Sequence, residues 1–223
     1  MKEFLIIANY LVGIGELMLA GYFWKTNSGS AIRKVMVLLA FSTGMWVIFT
    51  GTFTYRWILL DYFDLGISFV YFFGILFLTA LLHLVILFPH KIFPFDRLHT
   101  VLLYIPTLIL GFAAFTPAII KENITPSSGY TTSYPGPAHW MFNSYLFLMY
   151  AMVIILLIVK IKRFDGFSRD NAKTLLWGII LGGLPIVFLD LVLTTLGIYP
   201  NAAVASLFTV VWLGFTTYII VRK

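Results

Sequence analysis

Seven apolar stretches separated by short polar links leave this chain few ways to fold. They run over Phe4–Trp24, Val35–Tyr55, Leu65–Phe88, Thr100–Ile120, Met141–Ile161, Thr174–Leu196 and Ala203–Val221. Each has close to the ~20 residues that an α-helix needs to cross a ~30 Å hydrocarbon core. The expected fold is an all-α membrane protein, a seven-transmembrane helix bundle forming a single domain over residues 1–223. An odd number of crossings puts the two ends on opposite sides of the membrane.

The basic residues choose between the two orientations. One set of links carries Lys25, Arg33, Lys34, Lys91, Arg97, Lys160, Lys162, Arg163, Arg169, Lys173, Arg222 and Lys223, and the other only Lys2, Arg56 and Lys121. Basic residues in short loops stay cytoplasmic. The N-terminus is therefore expected outside and the C-terminus in the cytoplasm, across a prokaryotic plasma membrane. The pI of about 9.5 has the same origin. The charge flanks the spans, where it orients the chain and meets anionic lipid heads, and nucleic acid is not an expected partner.

Hydrophobic residues make up 61% of the chain and charged residues 11%, too few for the polar faces of a soluble domain. Cysteine is absent, which excludes disulfides, thiolate metal sites and a cysteine nucleophile. The first span is too long for a signal peptide and lacks a small-residue cleavage site, so it reads as a retained helix. There is no H-E-x-x-H, no G-x-S-x-G and no phosphate-binding Gly loop, and no Lys lies inside the seventh span to carry a retinal Schiff base. Asn123-Ile124-Thr125 fits a glycosylation sequon, but Pro126 follows it. No enzymatic activity and no cofactor are expected.

The links are short except for the external loop 121–140, rich in Ser, Thr, Tyr, Pro and Gly. A connection of that length is usually functional or mobile. Its Tyr130, Tyr134 and Trp140 either cover an outward-facing cavity or rest at the membrane interface. Pro106 falls inside the fourth span, and Pro185 follows Gly182-Gly183 in the sixth. Proline removes a backbone donor and kinks a helix. Gly178 and Gly182 also form a small-xxx-small pair that permits close helix approach. The sixth helix is the candidate bending element, with simple close packing as the other reading of these residues. No internal repeat or matching pair of broken helices points to an alternating-access transporter.

Three ionisable side chains fall inside spans: Glu16, His83 and Asp190. Buried charge is expensive in a bilayer, so such residues face the bundle interior and find partners. Asn9, Gly13, Glu16 and Ala20 share one helical face, small and polar, that should point inward. Glu16 and Asp190 read in three ways: as helix-holding hydrogen-bonders, as a proton-linked switch, or as the polar part of a ligand pocket. The ionisable residues are scattered singly, which disfavours a metal. Asn9, Glu16, Asn143, Tyr145, Asp190 and Thr194 all lie between mid-depth and the outer surface. They are the candidate ligand-binding set for a small molecule or lipid, in an outward-facing pocket between helices one, five, six and seven.

An ordered series of short segments adds to this reading. Ala31-Ile-Arg33-Lys34 leads to Trp46, Phe88-Pro89 ends the third span, and Ile105-Pro106-Thr107 lies in the fourth. Tyr134-Pro-Gly-Pro137 precedes the fifth span, a basic loop runs from Arg163 to Lys173 with Gly178 beyond it, and Leu196-Gly197 and Tyr218-Ile-Ile-Val-Arg222 close the series. In this order and spacing the chain resembles the N-terminal seven-transmembrane sensor region of bacterial and archaeal membrane histidine kinases. The resemblance implies a non-catalytic sensory domain that passes an external or intramembrane signal to a cytoplasmic histidine kinase or another output partner. It departs from the family at Asp190–Thr194, where an Asn-to-Pro stretch is usual. The family's output module is not within these 223 residues, so the chain is expected to be the sensor part of a longer protein or to act through a partner, with a homodimer as a further arrangement. The alternative is an accessory or structural subunit of a larger membrane complex.

Overall fold

The structure, a computed structural model, describes residues 2–26, 30–53, 63–124, 132–192 and 202–221. In chain order the helices are α1 (Lys2–Lys25), α2 (Ala31–Phe53), α3 (Phe63–Leu87), α4 (Arg97–Ala113) and α5 (His139–Arg163), followed by two composite helices. The first composite, α6, is α-helical over Gly166–Gly178, π-helical over Ile179–Gly183, α-helical over Leu184–Ile186 and π-helical over Val187–Val192. The second, α7, comprises Ala202–Ala205, a 3-10 turn at Ser206–Phe208 and an α-helix over Thr209–Val221. Five helices are long and apolar enough to cross a bilayer, namely α1, α2, α3, α5 and the Gly166–Leu189 part of α6, while Arg97–Ala113 and Ser206–Tyr218 are shorter apolar helices. The chain is thus an all-α, multi-pass membrane protein.

Successive helices alternate in direction. Lys25, Arg33, Lys91, Arg97, Lys160, Arg163 and Arg169 consequently gather at one end of the bundle, the basic end. Local chemistry sets the helix limits there. α3 stops at Leu87 because Phe88 precedes Pro89, and a residue before proline is pushed out of the helical region. α4 starts at Asp96, whose side chain accepts the backbone N–H of His99 at 3.0 Å as an N-cap.

The opposite end carries a two-stranded antiparallel hairpin, β1 (Ile120–Ile124) with β2 (Thr132–Pro135), pairing Glu122 with Tyr134 and Ile124 with Thr132. Two sequence expectations change here. The fourth span does not continue to Ile120. Its helix ends at Ala113, where the Thr116 hydroxyl takes the Ala113 carbonyl at 2.7 Å and Pro117 cannot supply a further helical donor. The loop 121–140 is also partly regular, because Gly136 and Ala138 donate to the carbonyls of Ile119 and Ala118, each at 2.8 Å, and pin the hairpin down. Ile119 and Ile120 are buried there with Ile67, Ala114 and Phe142. Tyr134 and Trp140 point outward, Trp140 with 67% exposed, as rings at a membrane interface do.

α3 is the central helix, buried without a break from Phe77 to Phe88 and packed by α2, α4 and α5. Lipid offers no hydrophobic drive between helices, so close contact and hydrogen bonds must hold them. Stacked rings do part of this, with Phe49 against Phe69 and Phe73, and Trp46 against Phe77 at 5.4 Å. A close backbone approach joins α1 to α2 at Gly13 and Gly44. A Cβ on either would stand 2.9 Å from the other's carbonyl oxygen, so only glycine fits.

Candidate functional site

A groove of about 670 Å³ opens between α5 and α6. Phe147, Ala151 and Ile154 form one wall, Leu184, Pro185 and Phe188 the other, and the buried Tyr150 its base. The groove exists because α6 is not a regular helix beside it. Pro185 has no N–H for the carbonyl of Leu181, and its ring crowds that turn. At the residue before it, the Leu184 N–H reaches the carbonyl of Ile179, a five-residue step. The Tyr150 hydroxyl donates to the same carbonyl at 3.1 Å, and its ring lies over Gly183. Isolated π turns of this kind are common at functional sites. Apart from Tyr150 the lining is hydrocarbon, so the groove suits an apolar chain or ring rather than a polar solute.

Of the six candidate residues, the four with described side chains, Asn9, Glu16, Asn143 and Tyr145, do not line this groove. Asn9 and Glu16 lie on the inward face of α1, with Gly13 and Ala20, as their spacing predicts. Asn9 accepts a short hydrogen bond from the Ser206 hydroxyl of α7, and its amide nitrogen donates to the carbonyl of Leu5 at 2.8 Å. Glu16 is 4% exposed. Thr209 of α7 stands beside its carboxyl but spends its hydroxyl on the carbonyl of Ser206 at 2.8 Å. Neither carboxyl oxygen has a hydrogen bond among the described residues.

Tyr145 belongs to a different region. Its hydroxyl meets Thr107 of α4 at 2.9 Å, and Thr107 meets Thr79 of α3 at 2.7 Å, which joins three helices by one polar chain. Asn143 is half-buried near the start of α5. Asp190 sits in the second π-helical stretch of α6, and its side chain lies outside the described ones. Thr194, Tyr130, Leu196-Gly197, the sequon's Thr125, Arg56 and the terminal Arg222-Lys223 lie outside the described residues.

Sequence reasoning missed two features. Tyr150 reads as one more aromatic in an apolar span, and no local signal marks it as the partner of α6. His83 does have the partner expected of an ionisable group inside a span, its Nδ1 lying 3.2 Å from the Tyr104 hydroxyl of α4. Lys160 is the larger surprise. Counted by sequence among the basic link residues, it is completely buried and its ammonium donates to the carbonyls of Ile86, Phe88 and His90 at 3.2, 2.7 and 2.7 Å. The three donors of a lysine thus cap the end of α3, whose last carbonyls have no helical partner. A lysine near the end of an apolar span, opposite a helix stopped by Pro89, is the signal that pointed there.

No group of three or more His, Asp or Glu side chains able to hold a metal occurs among the described residues. Comparison with known proteins finds no match, whether to a family model, a curated protein or a solved structure.

Proposed function

We propose that this chain is a non-catalytic transmembrane sensory domain with seven spans, its N-terminus outside and its C-terminus in the cytoplasm. Beside the five long helices, the 17 residues of Arg97–Ala113 come to about 26 Å of helix, at the lower limit for a crossing, and α7 is of similar reach. The orientation follows from the basic end. The sensing role rests on one observation: an open apolar groove borders the irregular turns of α6 and shares Tyr150 with them. On this reading the segment Ile179–Val192, where π and α turns follow one another, has a second arrangement in which those turns are distributed differently. An apolar molecule in the groove, or a change in the surrounding lipid, biases the two arrangements only through different affinity for them. The shift would pass along α6 to the basic residues at its start and on to a cytoplasmic histidine kinase or other output partner.

The test is to fuse residues 1–223 to a cytoplasmic histidine kinase and measure autophosphorylation in vesicles of varied acyl-chain composition. Ala151→Phe, which fills the groove, should abolish the response while leaving insertion intact. Output that ignores both lipid composition and groove substitution ends the proposal. One observation favours a second reading, an accessory subunit of a membrane complex: α1 turns Phe4, Ile7, Leu11, Ile14 and Met18 outward in a single stripe. Extraction in mild detergent as a lone monomer argues against it.

A further inference from the structure

The carboxyl of Glu16 is the buried polar group that the groove does not use. It faces α7 across a seam that also holds Asn9, Ser206 and Thr209, each buried. Ser206 and Thr209 are one turn apart and, with Thr216 two further turns on, repeat at helical spacing, giving α7 a row of buried hydroxyls. On its other side α1 is locked to α2 by the Gly13–Gly44 contact and by Tyr10 bonded to Thr52 at 2.7 Å. The α1–α2 contact is therefore rigid. The α1–α7 contact, by contrast, contains a carboxyl with no hydrogen bond among the described residues.

α2 and α7 pack on α1 here, and α7 sets Thr209 beside Glu16 and Ser206 on Asn9. No Lys, Arg, His, Asp or second Glu forms an ion pair with Glu16 among the described side chains. A carboxylate ion with no counter-charge, and with only the shared hydroxyl of Thr209 beside it, is a costly occupant of such a place, and a carboxylic acid is not. We infer that Glu16 is an exchangeable proton-binding site, and that loss of its proton separates α1 from α7 along this seam. The carboxylic acid releases H⁺ to water entering the seam, and the resulting carboxylate takes its hydrogen bonds from that water and from the hydroxyls of α7. This holds whatever the output partner is, because it concerns the packing of two helices alone.

The chain contains no cysteine, so Thr26→Cys just past the end of α1 and Tyr218→Cys on α7, both exposed, give a spin-label pair without background. Pulsed EPR distances on the labelled protein in liposomes should lengthen as pH rises through the ionisation of Glu16. Infrared difference spectra over the same range should lose the carbonyl band of a protonated carboxyl. Glu16→Gln, isosteric and unable to ionise, should keep the short distance at every pH and lack the band. Thr209→Val, which keeps the packing but removes a hydroxyl, should move the transition to higher pH. A distance change that persists in Glu16→Gln, or one abolished by Asp190→Asn instead, overturns the inference. So does a wild-type distance that stays constant while the band disappears.

Discussion

The α3–α4–α5 side of the molecule and the α1–α6–α7 side are built from the same kind of sequence, yet they treat buried polar groups in opposite ways. On the first side Lys160 finds three carbonyls, Thr79, Thr107 and Tyr145 bond in a chain, and His83 meets Tyr104. On the second, Glu16 has no hydrogen bond among the described residues, and α6 replaces part of its helical ladder with π turns. An unmade hydrogen bond costs more than a made one contributes. The difference therefore separates a side that resists rearrangement from a side where rearrangement costs little. Local openings concentrate where hydrogen bonding is incomplete.

The strongest way to break this contrast is to remove the cap on α3. Lys160→Met deletes three charge-assisted bonds and leaves the carbonyls of Ile86, Phe88 and His90 to be satisfied otherwise. A loss of about 2–4 kcal/mol is expected in reversible unfolding from mixed micelles, with Lys160→Arg recovering part of it. A smaller effect belongs to the hydroxyl chain. Thr107→Val cuts its bonds to Thr79 and Tyr145 and should cost about 1–2 kcal/mol. Hydrogen exchange should then rise in α3 and α4 and stay unchanged in α7.

Across the molecule, Tyr150→Phe removes only the bond to the Ile179 carbonyl and keeps the ring over Gly183. About 0.5–1 kcal/mol is expected, together with faster amide exchange confined to residues 179–192. An effect as large as that of Lys160→Met would erase the distinction between the two sides. The smallest change lies at the membrane surface. The backbone N–H and ring of His99 hold the Asp96 carboxyl below the usual carboxylate range. A lowered value means that its contribution to capping α4 is complete above the ordinary carboxylate range and fades as pH falls through the lowered one. Asp96→Ala should therefore weaken helical protection at the start of α4 at neutral pH and have no effect in strong acid, as amide exchange of residues 97–100 would report.

Much of the fold was legible because a bilayer simplifies the problem. Apolar length locates helices, and the inward face of α1 followed from the spacing of Asn9, Gly13, Glu16 and Ala20 alone. Gly182-Gly183 and Pro185 marked the irregular helix for the same local reason: a missing donor acts on its own turn. The site was less legible. Six polar residues at similar depth suggested one pocket, but depth along a helix says nothing about which neighbour a side chain faces. Asn9 met α7 whereas Tyr145 met α4, and the groove formed from residues with no polar mark except Tyr150.

By itself, then, the sequence determined that this is an all-α membrane protein, roughly where most of its helices lie, and which of them departs from a regular α-helix. Those properties depend on hydropathy, charge and backbone donors, all carried by consecutive residues. Only the tertiary structure decided that Lys160 caps a helix more than seventy positions away, that Tyr150 holds the π turn of α6, and that Glu16 is left without a hydrogen bond among the described residues. Each of these turns on which helix packs beside which. In a bundle of similar apolar helices that choice is made by close contact and hydrogen-bond geometry, and no short stretch of sequence contains both partners.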